Sequence, residues 1–156
     1  MTDGDLDAVV AVAATAFPDH PESRACFAER LALSPTTCLA LADDEKPARG
    51  YLIAYPWPFG EIPPLDTLIG ALPAGCDTLY LHDLALAPEA IGHGLTRPAI
   101  DTLMARATGH ARIALVSVNG SVPFWQRHGF AVVESPDLTT KLRSYGPDAR
   151  YMVRQL

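Results

Sequence analysis

His82 and Asp83 interrupt an otherwise apolar run, Leu79-Tyr-Leu-His-Asp-Leu-Ala-Leu86. An imidazole beside a carboxylate, inside a segment that reads as a buried strand, is the pair in this sequence best suited to moving a proton. Pro88 ends the run, because proline has no N–H for a sheet ladder. Gly92 and Gly94 follow, and Ile100, Leu103, Met104 and Ala107 then recur at helical spacing. A strand, a glycine turn and a helix in that order leave unpaired amides at a helix mouth, where the dipole also favours an anion. The amides of Ile91, Gly92, His93, Gly94, Leu95 and Thr96 are therefore read as aimed at a phosphate. Pro98 lies near the helix start, where its missing N–H costs least, and Arg97 adds a charge for a phosphate oxygen.

Two familiar phosphate sites do not fit this turn. The G-x-G-x-x-G dinucleotide pattern fails because Arg97 occupies the third glycine position, and no G-K-[ST] is present for a P-loop. Downstream, Arg112 to Val118 reads as a continuous buried strand, and Asn119-Gly120-Ser121 as a turn with Ser121 as N-cap. Val122 to Arg127 reads as a short helix closed by Gly129.

LALAPEAIGHGL (84–95 with its flanks) and VNGSVPFWQRHGF (118–130) together resemble the GNAT superfamily of acyl-CoA-dependent N-acetyltransferases. The first resembles the family's pyrophosphate signature, and the second its asparagine, short helix and Gly-Phe ending. The resemblance is strong from Leu79 to Val133 and loose over the preceding helices and hairpin. It implies acetyl-CoA as co-substrate, held in a V-shaped gap between the central strand and the 112–118 strand, and no metal. Backbone N–H groups near Leu84, Ala85 and Leu86 would bind pantetheine and polarise the thioester carbonyl. A small amine or peptide amine would attack directly. An alkyl ammonium, with a pKa near ~10, must first lose a proton, so a base or a water chain is needed.

The base is expected from His82 and Asp83. Strand alternation sends them to opposite faces, although the family's bulge in this strand disturbs that parity. Asp83 is preferred in the site with His82 as support; the competing reading is that both only satisfy buried polar groups. Asn119 would hold pantetheine or the entering substrate, or else form an ordinary Asn-Gly turn. Phe124 and Trp125 would wall the thiol end, and His93 would reach phosphate, with His20, His110 and His128 on the surface. Two positions depart from the family pattern. Glu89 stands where arginine or glutamine is usual, and Trp125 stands where tyrosine commonly protonates the leaving thiolate. An indole N–H has no such acidity. Tyr51, Tyr55, Tyr80 and Tyr151 are the replacement acids to consider, unless they are core aromatics. The alternative function is a non-catalytic acyl-CoA-binding or regulatory module, and a third is an interaction domain that keeps only the fold.

These residues must be positioned by a scaffold. Asp5 to Phe17 has an apolar stripe of Leu6, Val9, Val10, Ala13 and Phe17, with Asp3 or Asp5 as cap. A second helix is expected from Glu22 to Leu33, after a Pro18–Pro21 loop that can border a substrate. Strands at Thr37–Leu41 and Gly50–Tyr55 flank a polar turn, Asp43 to Pro47, as an antiparallel hairpin. The proline- and aromatic-rich stretch 56–75 reads as a lid or specificity loop with a short helix near Leu65–Leu72, or as a plain cover for the core. Further strands are expected at Phe130–Glu134 and Tyr151–Gln155, with Leu138–Leu142 as another. The sum is an α/β chain: one mixed sheet flanked by helices, of GNAT type, with the first strand short or absent.

Whole-chain properties agree. At 156 residues the chain is the size of one domain, 1–156, with a real core. A formal charge of −6 argues against a nucleic-acid partner, which needs a basic face. Cys26, Cys38 and Cys76 have neither disulfide nor zinc spacing, as expected of thiols in the cytoplasm. No apolar run approaches the ~18 residues of a membrane span. A homodimer is open through pairing of the C-terminal strands.

Overall fold

Alternation in the central strands sorts their side chains into two apolar layers. Tyr51, Ile53 and Tyr55 pack with Leu6, Val9, Phe27 and Leu31 on one face. Leu52, Ala54, Leu79 and Leu81 pack with Ile100, Leu103, Trp125 and Phe130 on the other. Large apolar residues on both faces are what a sheet covered by helices on each side requires. The computed structural model describes residues 1–42 and 47–156, so the turn expected at Asp43 to Pro47 lies largely outside the described residues.

A short 3-10 turn, Asp3–Asp5, leads into α1 (Leu6–Ala16), and α2 (Arg24–Leu33) follows. The strands are β1 (Cys38–Ala40), β2 (Gly50–Pro56), β3 (Thr78–Leu86), β4 (Arg112–Ser117), β5 (Ala131–Val132) and β6 (Arg150–Gln155). Between them lie α3 (Thr96–Arg106), α4 (Val122–Arg127) and α5 (Pro136–Arg143). The sheet order is β1-β2-β3-β4-β6-β5. All neighbouring pairs are antiparallel except β3 and β4, joined in parallel through the α3 crossover. Among the described residues no strand precedes α1, in agreement with the expected loss of the first strand.

Two irregularities set up the site. The β3–β4 ladder covers only Thr78–Tyr80 against Arg112–Ala114, whereas β4 continues to pair with β6 as far as Ser117. Beyond Tyr80 the two parallel strands diverge, leaving the β4-side edge of β3 from Leu81 to Leu86 unpaired inside the molecule. The second irregularity is a bulge opposite Ile53 and Ala54. Ile53 faces Asp83 and Ala54 faces Leu81, so His82 is the extra residue.

Four local expectations are corrected. Residues 65–72 contain no helix. Asp66 has φ 45° and Gly70 φ 73°, and no helix runs through left-handed backbone. Leu138–Leu142 is not a strand but part of α5, whose apolar Leu138 and Leu142 stand four apart, with Pro136 at its first turn. Ser121 precedes α4 but makes no side-chain cap; its hydroxyl meets the Ser117 hydroxyl at 2.9 Å. The 130–134 strand is shorter than expected: Phe130 is buried against Trp125, Ala131–Val132 form the ladder with β6, and Val133 adds one N–H bond to Tyr151 O.

Candidate active site

The bulge in β3 decides what His82 and Asp83 can do. In a regular strand they would face opposite sides; the extra residue turns both toward α1 and α2. His82 Nε2 lies 2.6 Å from Glu22 Oε2 and its Nδ1 lies 3.0 Å from the Tyr55 hydroxyl. Tyr51 donates its hydroxyl to Asp83 Oδ2 at 3.0 Å. Both imidazole nitrogens are thus engaged, whereas Asp83 Oδ1 has no partner among the described residues. Donor atoms of Glu22, His82 and Asp83 lie within 4.8 Å of one another.

Burial and mutual charge shape the three groups differently. Burial opposes a charged His82 ring, but the Asp83 charge, and then the bond to and charge of Glu22, outweigh it and raise its pKa. Burial would raise Glu22, yet the His82 bond and charge, the Asp66 N–H and the Arg30 charge together hold it below the usual value. For Asp83 burial wins: its pKa is raised despite the His82 charge and the Tyr51 bond. The result is a carboxylate with a free oxygen and a proton affinity moved toward that of a working base.

Glu22 also holds the 57–77 segment. Its Oε1 accepts the Asp66 N–H at 3.0 Å, and Asp66 Oδ1 accepts the Ser23 N–H at 2.7 Å. Glu29 takes the N–H groups of Ile69 and Gly70 at 2.8 and 2.9 Å. Further along, Tyr145 donates to Pro63 O, and Gly60 N–H donates to the Tyr151 hydroxyl. This segment is an ordered cover fixed to α2, and Leu65 carries it to the edge of the cavity.

On the other side of β3 lies the glycine turn. Gly92 and Gly94 have φ 85° and 71°, the left-handed conformation that glycine adopts without strain. The N–H groups of Gly92, His93, Gly94, Leu95 and Thr96 meet no acceptor among the described residues. Arg97 N–H closes a turn on Gly94 O, and Ile91 N–H closes one on Pro88 O. Five free amides at the start of an eleven-residue helix form an anion cradle. The Arg97 side chain is exposed and stands 3.8 Å from Asp101 across one helical turn.

A cavity of about 460 Å³ joins these parts. His82, Asp83, Leu84, Ala85 and Leu86 line it from β3, and Ile91 and Thr96 from the glycine turn. Asn119 lines it from the turn between β4 and α4, and Phe124 and Trp125 from α4. Gly92, His93, Gly94, Leu95 and Arg97 do not line it; they lie on the turn between Ile91 and Thr96, and along α3. Asn119 has φ 53°, which asparagine tolerates better than most residues. Trp125 is buried, edge-on to Phe124 and Phe130. Tyr51, Tyr55 and Tyr80 are buried, and burial raises their phenols far above the usual range.

Sequence reasoning missed Glu22 and Tyr145 and placed His20 on the surface, but all three lie on the cavity wall. Glu22 lies 60 residues from His82, and its one signal was its place at the end of the Pro18–Pro21 loop. Tyr145 lies in the α5–β6 connection, where the sequence gives no motif. No helix among the described residues is long and apolar enough to cross a membrane.

Similar folds are found in solved structures of low sequence identity. Ard1 from Thermoplasma volcanium superposes with a TM-score of 0.75 at 12% identity, covering 100% of this chain and 94% of that one. The loading GNATL domain of CurA from Lyngbya majuscula gives 0.78 at 10% identity, covering 99% and 94%. N-acetylglutamate synthase from Neisseria gonorrhoeae, complexed with coenzyme A and N-acetyl-glutamate, gives 0.71 at 17%, covering 98% of this chain and 33% of that one. At these identities the likeness is one of fold. Among curated proteins no sequence matches. The acetyltransferase (GNAT) family model, however, matches residues 6–130, which takes in the cavity wall from Glu22 to Trp125, and the chain belongs to that family.

Proposed function

We propose that the protein transfers an acetyl group from acetyl-CoA to a primary amine by direct attack within a ternary complex. One observation carries this reading. The unpaired edge of β3, the amides without partners at the start of α3 and the Asp83 carboxylate all border or adjoin one cavity. An interior strand edge left unpaired is costly unless a ligand completes it, and the pantetheine arm offers amides of the right kind. Backbone N–H groups of Leu84 to Leu86 would bind that arm and polarise the thioester carbonyl. Those from Gly92 to Thr96 would take the pyrophosphate, with Asn119, Phe124 and Trp125 against the thiol end.

Asp83 is assigned as base, because its Oδ1 is free and burial raises its proton affinity. His82, with both nitrogens engaged, supports Asp83 rather than taking the proton itself. In the reaction the ammonium gives a proton to Asp83, nitrogen bonds to the carbonyl carbon and the C–S bond breaks. The second amine proton leaves to solvent, while the thiolate takes one from a donor. Solvent is that donor, since Tyr145, which lines the cavity, gives its hydroxyl to Pro63 O and burial raises its phenol. Trp125, buried between Phe124 and Phe130, serves as wall.

A second reading, a module that binds acyl-CoA without turning it over, is favoured by one feature, the indole at Trp125. Calorimetry with acetyl-CoA and release of free CoA across a panel of amines separate the two. Micromolar binding with amine-dependent CoA release is expected. Binding without release on any amine would favour the module, and no binding at millimolar acetyl-CoA would remove both.

A further inference from the structure

The acceptor end of the cavity has a one-sided charge pattern. Its carboxylates are Glu22 and Asp83 and its imidazoles are His20 and His82; among the described residues no lysine or arginine lines it. Arg30, the guanidinium whose charge reaches Glu22 and His82, is 1% exposed and occupied elsewhere. It bonds Glu29 and donates to Thr67 O at 2.8 Å, and it stacks 5.5 Å over the Tyr55 ring. A substrate carboxylate or phosphate would therefore meet like charge with no lysine or arginine to receive it, and His82 has both nitrogens engaged. A substrate ammonium would meet two carboxylates.

Shape and polarity narrow the class further. The rest of this wall is Phe17 at the end of α1, Leu65 from the cover segment, Tyr80 from β3 and Tyr145 beyond α5. Such a wall suits an uncharged apolar body and offers little to the amides of a peptide chain. The volume of about 460 Å³ must also hold the end of the thioester arm, so the remaining room suits a small molecule. Resting on the transferase reading above, we infer that the acyl acceptor is a small primary monoamine, an alkyl or arylalkyl ammonium with an uncharged apolar body. Amino acids, phosphorylated amines and peptide termini are the excluded classes.

A matched pair tests this: 2-phenylethylamine and phenylalanine share a skeleton and differ by the carboxylate, and a neutral-bodied tripeptide tests the peptide class. In the CoA-release assay kcat/KM for 2-phenylethylamine is expected to exceed that for phenylalanine about 100-fold or more, and that for the tripeptide about 10-fold or more. A ratio near one, or a preference for either competitor, would overturn the inference. The same compounds titrated into protein saturated with CoA give a readout that needs no turnover. Binding of 2-phenylethylamine about 30-fold tighter than phenylalanine supports the acceptor class even where transfer itself fails. Equal binding, or none by either amine, overturns it.

Discussion

At the scale of single residues, the roles of His82 and Asp83 follow from which of their atoms are already taken. His82 has no free nitrogen, and Asp83 has one oxygen free among the described residues. Asp83→Asn keeps an acceptor for the Tyr51 hydroxyl while removing the base. We expect kcat to fall by about 10² to 10⁴, the usual contribution of a general base, with acetyl-CoA affinity within about twofold of the parent. Its effect on stability should have the opposite sign. A carboxyl whose folded pKa is raised favours the protonated form, so its ionisation at neutral pH is a cost to the fold. The melting temperature of Asp83→Asn near pH 7 should equal or exceed that of the parent. Loss of affinity in proportion to turnover, or a clear loss of stability, would remove Asp83 from this role. The residue types at 82 and 83 were legible from the sequence as breaks in an apolar run. Their shared face was not, because it depends on a bulge set by the pairing of β2 and β3.

At the scale of elements, the glycine turn and α3 were the most legible part of the chain. Local φ requirements, the proline near the helix start and apolar spacing all point the same way there. The 57–77 segment was legible only as an ordered cover. Its conformation is held by Glu22, Glu29 and Tyr145, residues remote in sequence, which no local pattern reports. The turn invites a controlled test, since Gly94 and Gly109 both have positive φ, 71° and 91°, and neither has a neighbour within 4 Å of an added Cβ. Valine at either site therefore costs backbone strain of about 1 to 2 kcal/mol and no steric clash within the protein. Only Gly94 sits among the free amides. Gly94→Val should weaken acetyl-CoA binding about tenfold or more in calorimetry, whereas Gly109→Val should lower the melting temperature to a similar extent and leave affinity intact. Equal affinity in both variants would show that the turn does not hold the pyrophosphate.

At the scale of the whole molecule, the buried titratable cluster sets stability and chemistry against each other as pH changes. Glu22 is held below its ordinary value of 4.5, so its contribution is present above that pH and is lost as pH falls through the lowered pKa. His82 is raised above 6.5; its contribution is complete below 6.5 and is lost as pH rises through the raised pKa. Asp83 is raised above 3.8, so its contribution too is lost with rising pH. His128 is shifted the other way, lowered by burial and by the Arg97 charge, and its window lies below 6.5. As pH rises above 6.5, then, the cluster makes the fold less stable. Over the same range the substrate amine loses its proton, and turnover gains. The melting temperature is expected to fall as pH rises above 6.5, by about 2 to 4 °C for each kcal/mol lost in a domain of this length, while kcat/KM rises. Asp83→Asn supplies the check. The Asp83 charge is the largest influence raising His82, so without it His82 releases its proton at lower pH and less stability remains to be lost. The slope of melting temperature against pH should be visibly shallower in the variant. A flat profile in the parent, or the same slope in both proteins, would mean that the cluster does not couple the fold to its chemistry.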